Sequence, residues 1–110
     1  MKYEINISQK AEDDLNIAAD YIEHVLLNAE AADHLLDESE KLIEGLSQYP
    51  ERYPVVDDPL LKFFHIRMAP VKNYLVFYTV NSAHQSATIV RFLFNKRDWI
   101  SVLRNQKADL

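Results

Sequence analysis

The chain has no cysteine, which excludes disulfides, thiolate nucleophiles and every cysteine-ligated zinc or iron–sulfur site. It has one glycine, Gly45. P-loops, dinucleotide fingerprints and other glycine-rich phosphate cradles need several positions without a Cβ, so those nucleotide-binding classes are excluded as well. No apolar run approaches the roughly 18 residues of a membrane span. The opening MKYEINISQKAEDD lacks an apolar h-region and soon turns acidic, unlike a secretory signal. The expectation is a cytoplasmic protein with no membrane contact. The four histidines show neither an i,i+4 nor an HxH spacing, so no metal site, and no cofactor of any kind, is expected.

What is present fits one small domain spanning residues 1–110. The chain is 48% hydrophobic and 26% charged, and a chain of this size buries about two thirds of its unfolded surface. The formal net charge of −5 hides an asymmetry. Residues 1–60 carry four Lys/Arg and fifteen Asp/Glu, a balance of −11, whereas residues 61–110 carry eight and two, a balance of +6. Such a split points to two surfaces with different partners. A generic nucleic-acid binder is disfavoured, because its domain is usually basic overall.

Periodicity orders the elements. Tyr3, Ile5 and Ile7 alternate with Glu4 and Asn6, which predicts a half-buried strand. Ser8 is a good N-cap, and Glu12, Asp13 and Asp14 complement a helix start. Ala11, Leu15, Ala18, Ile22 and Leu26 then form one apolar stripe. Asn28 caps a second helix carrying Ala32, Leu35, Leu36, Ser39, Leu42, Ile43 and Leu46, and Gly45 suits its end. Tyr49-Pro50-Glu51-Arg52-Tyr53-Pro54 forces an extended, irregular segment. From Leu61 the period becomes two, with Phe64, Ile66 and Met68 facing one way and Phe63, His65 and Arg67 the other. Pro70 to Asn73 reads as a turn, Tyr74 to Val80 as a central strand, 81–86 as a hairpin loop and 87–94 as the last strand. Asp98 caps a short helix with Trp99, Ile100, Val102 and Leu103, and the tail from Asn105 is expected to fray. The class is α+β, ordered β-α-α-β-β-β-α. An antiparallel meander carries the helical hairpin on one face and leaves the other open, shallow and basic.

The order of YLVFYTV, a hairpin and IVRFLFNKRDW, together with the Tyr-Pro segment and VKNYLVFY, resembles the RelE/ParE superfamily of bacterial type II toxin–antitoxin toxins. The closing Lys96-Arg97-Asp98 is the sharpest piece. The resemblance implies a toxin of a plasmid-stabilisation-type system, neutralised by a cognate antitoxin, with any DNA contact made through that antitoxin. It also implies one of two targets. ParE-like toxins inhibit DNA gyrase; RelE-like toxins cut messenger RNA on the ribosome without a metal. The reading favours gyrase. Leu75 and Leu103 stand where messenger-cutting relatives carry an arginine and a tyrosine, and RFLFNKRDW is nearer the ParE-like branch.

The resemblance places Arg97 in the motif, able to stabilise phosphate charge if the chain is a nuclease. Arg67 and His65 would then add a cation and a group titrating near pH 7. The antitoxin- or target-binding set is Arg67, Arg91, Lys96 and Arg97. Each has a plainer alternative. Lys96 and Arg97 are solvated turn residues, Arg67 an edge-strand charge, Arg91 one half of an ion pair at the sheet rim, and His65 a structural histidine. A degenerate toxin that only binds its antitoxin is a third possibility.

Overall fold

The computed structural model describes residues 2–106. Strand β1 (Glu4–Ile7) is followed by helix α1 (Gln9–Asp20), a single π-helical turn (Tyr21–Val25) and helix α2 (Ala29–Gln48). A short helix α3 (Pro59–Phe63) precedes β2 (Arg67–Val71), β3 (Tyr74–Asn81), β4 (Ser86–Phe94) and helix α4 (Trp99–Asn105). The anticipated caps are in place: the Ser8 and Asn28 side chains accept from the amides of Ala11 and Ala31. Gly45 lies near the end of α2, which runs three residues further. A Cβ added there would meet Arg52 Nη1 at 3.5 Å, an ordinary contact. Gly45→Ala should therefore stabilise the fold by about 0.5–1 kcal/mol through helix propensity, readable as a rise in the urea midpoint.

The sheet order is β1-β4-β3-β2, with β1 parallel to β4 and the meander antiparallel. The first strand thus closes one edge of the meander, as its need for a pairing partner requires. On one face, α1 and α2 bury Ala11, Ala18, Leu35 and Leu46 against Val76, Tyr78, Ile89 and Phe92. The Tyr78 hydroxyl, fully buried, donates to the Pro50 carbonyl at 2.8 Å and fixes the Tyr-Pro segment on this core.

Four expectations are corrected. The period-two pattern from Leu61 is not a strand. Asp58 accepts from the Leu61 amide and Pro59 sits in the first turn, so a helix starts there and the strand begins only at Arg67. Pro70 lies inside β2, which tolerates it as an edge strand, and the turn shrinks to Lys72 and Asn73. The second sheet face is not open. Val56, Leu61, Ile66, Phe77, Val90, Leu93 and Leu103 form a second core there, closed by α3, α4 and the chain around Val56. Trp99 packs on Phe77 with ring centroids 5.2 Å apart, anchoring the last helix. Nor does the chain fray at Asn105: Gln106 is buried and accepts from Arg91 at 2.8 Å. The rest of the expected frayed tail, 107–110, lies outside the described residues.

With one glycine in the chain, left-handed positions fall to other residues. Leu27, His65, Lys72 and Gln85 have φ of 53°, 56°, 53° and 50°.

Candidate functional site

Each sequence-predicted residue has a definite place. Arg91 lies beside a β-bulge. Phe77 pairs with Arg91 and Tyr78 with Ile89, so Val90 is the extra residue. Bulges re-aim side chains. Here the Arg91 guanidinium grips Asp14 of α1 through Nε at 2.7 Å and Nη2 at 2.9 Å, while Nη1 donates to Gln106. The Phe92 amide donates to the same carboxylate at 3.1 Å. Asp14 is therefore more than a helix-start charge; it locks α1, β4 and the end of α4 together.

Arg67 is also engaged. Its Nη1 donates to the carbonyls of Tyr53 at 2.6 Å and Glu51 at 3.2 Å, tying the Tyr-Pro segment to the sheet. Residues 54–56 pair with the start of β2 and cover part of that edge. His65 is exposed, in a left-handed conformation, just past α3. Lys96 and Arg97 are exposed, and no side-chain hydrogen bond or ion pair holds either among the described residues.

The three proposed catalytic groups do not converge. Arg67 stands opposite Tyr78, whereas the chain leading to Arg97 leaves β4 opposite Tyr74. Those two β3 positions are four residues apart, about 13 Å along a strand. His65 lies just ahead of Arg67, before β2 begins. Among the described residues no group of three or more His, Asp or Glu side chains could hold a metal ion, and no helix is long and apolar enough to cross a membrane.

What Arg97 does border is a groove of about 470 Å³ between α1 and the end of the sheet. Asp14, Ile17, Ala18 and Tyr21 form one wall, and Tyr74, Phe92, Leu93, Phe94 and Arg97 the other. Tyr74 stacks on Phe92 at 5.1 Å and meets Phe94 edge-on at 5.5 Å, so the aromatic floor is rigid. Ile17, Tyr21 and Phe94 remain substantially exposed. Burial, reinforced by nearby Tyr21, pushes the Tyr74 phenol above its ordinary 10.0, so it is a neutral hydroxyl near pH 7. The groove has an apolar floor with the Arg97 cation at its lip, an arrangement suited to holding an amphipathic segment rather than to proton transfer. The spacing of hydrophobic residues did not reveal it. Ile17 and Tyr21 fall off the α1 core stripe, and only the π turn and the sheet end together make them a wall.

A second ion pair holds the opposite face. Arg104 of α4 donates to Asp58 through Nη2 at 2.8 Å and Nε at 3.2 Å. The hydrogen bond from Arg104, helped by the Leu61 amide, keeps the Asp58 carboxyl below its ordinary 3.8 despite opposition from burial. The unfolded chain therefore takes up this proton first as pH falls. The pair's contribution is complete above that ordinary value and is lost as pH drops below it toward the folded value. Trp99 fluorescence should report α4 loosening in that acid range, and Asp58→Asn should remove this part of the acid sensitivity.

Similarity to known proteins agrees with this fold. A model of the ParE toxin of the type II parDE toxin–antitoxin system matches residues 5–99. Among solved structures, a chromosomal ParDE system from P. aeruginosa superposes with TM-score 0.67 at 16% identity, over 84% of this chain and 96% of that one. The RelBE2 toxin–antitoxin complex from Mycobacterium tuberculosis gives 0.58 at 17% identity, over 86% and 92%. No curated protein sequence is significantly similar to the chain. The two structures share the fold; the family match covers most of the sequence, and the chain belongs to the ParE toxin family of type II toxin–antitoxin systems.

Proposed function

We propose that this toxin stops growth by binding and inhibiting DNA gyrase, and that a cognate antitoxin neutralises it by laying an amphipathic segment into the Arg97 groove. The observation that carries the reading is the dispersal of the candidate catalytic cations. Arg67 is spent on backbone carbonyls, and Arg97 stands apart from Arg67 and His65. Metal-free RNA cleavage needs a base, an acid and cations around one phosphate. A protein–protein block needs only a surface. For the antitoxin, the groove supplies aromatic anchors and Arg97 and Lys96 supply the complementary charge. A role in plasmid stabilisation belongs to the same reading.

Purified toxin added to gyrase and relaxed plasmid is the direct test. Supercoiling should fall in proportion to toxin and recover when antitoxin is added. Full supercoiling at saturating toxin rules gyrase out as the target. In that case toxin-dependent cuts in ribosome-bound messenger would make the chain a nuclease.

A further inference from the structure

The tip of the helical hairpin exposes three consecutive large aliphatic side chains. Val25, Leu26 and Leu27 are 62%, 56% and 84% exposed. Single exposed apolar residues are ordinary; a contiguous cluster marks an interaction surface. The backbone adds a second sign. The Asn28 amide donates to the Ile22 carbonyl at 3.0 Å, closing the helix end around Leu27 at φ 53°. That position favours glycine or asparagine, because a Cβ in left-handed backbone crowds the next carbonyl. Leucine there strains the chain and buries almost nothing in return, the pattern expected where function retains a residue. The preceding π turn is itself a feature frequent at functional sites.

Charge selects the occupant. Exposed Asp20, Glu23 and Glu30 surround the tip in sequence, whereas the groove's lip carries Arg97. None of the three aliphatic residues lines that groove. An acidic segment suited to Arg97 is repelled by the tip, and a partner suited to the tip has an apolar floor and a rim of lysine or arginine. We infer that Val25, Leu26 and Leu27 dock the toxin onto its target, a protein groove of that chemistry, and that the antitoxin holds the toxin elsewhere. The inference rests on the target being a protein, as proposed above.

The test uses the full chain carrying Leu26→Ser with Leu27→Asn, and Leu27→Asn alone. Asparagine suits the left-handed position, so the melting temperature should not fall. The amount of toxin needed for growth arrest should rise about 30-fold or more for the double variant, with antitoxin affinity unchanged within twofold. Undiminished arrest overturns the inference. A parallel loss of antitoxin affinity overturns it too, by assigning the tip to the antitoxin. So does a wild-type dimer that the variant abolishes, which makes the tip a self-association surface. A wild-type chain that arrests no growth removes both this inference and the proposed function. Arrest by wild type with neither gyrase inhibition nor messenger cuts removes only gyrase, and the variants still decide the tip; arrest with messenger cuts overturns the inference as well.

Discussion

Asp14→Ala is expected to destabilise the fold by about 3 kcal/mol, the cost of leaving a shielded cation without its partner. The Asp14 and Arg91 side chains are each only 13% exposed. The carboxylate accepts two guanidinium bonds and the Phe92 amide, so one truncation removes all three. A change of that size lowers the melting temperature of a domain this large by roughly 10–20 °C. Removing both charges together, Asp14→Leu with Arg91→Met, should recover part of the loss, because no lone charge remains inside. Urea unfolding of the three proteins measures this. A cost below about 1 kcal/mol for Asp14→Ala would place the pair with ordinary surface ion pairs, and the account of how α1, β4 and α4 are joined would be wrong.

Phe94→Ala should weaken antitoxin binding about 30-fold, the effect of losing an aromatic anchor worth about 2 kcal/mol. Phe94 is 41% exposed and meets Tyr74 edge-on at the groove floor. Its loss should therefore affect the complex more than the free toxin. Ile100 is exposed to a similar degree, 37%, but does not line the groove. Ile100→Ala is the control and should leave affinity within about threefold, since most interface-distant truncations are near neutral. Calorimetry with purified antitoxin separates the two. Equal losses, or none, would move the antitoxin off this groove.

The legible parts of the fold were those governed by local rules. Ser8, Asn28 and Asp98 announced helix starts because their side chains satisfy amides a few residues away. The run Tyr74–Val80, apolar but for Thr79, announced a central strand. The family resemblance was legible for a different reason, as ordered words at the right spacing. The departures are mostly long-range. Asp58-Pro59 is a helix start in its own right, but alternating Phe64, Ile66 and Met68 masked it, and its partner Arg104 lies far along the chain. The covered second face followed from that helix and from Leu103, whose burial no local pattern encodes. For the site, a rim charge pair for Arg91 was foreseeable, but the choice of Asp14 was not. The tip is the converse case. Leu26 read as part of the helix stripe, and only the exposure of Val25, Leu26 and Leu27 and the left-handed backbone set the tip apart.

The most direct measurement of the central claim is a map of cellular RNA 5′ ends minutes after tightly controlled induction, for the wild-type chain and for Arg97→Ala. A toxin that acts by protein contact should arrest growth with no new ends at fixed codon positions in either strain. New ends at set codon positions, lost with Arg97→Ala, would contradict the account. They would show that Arg97 works on phosphate without the dispersed Arg67 and His65.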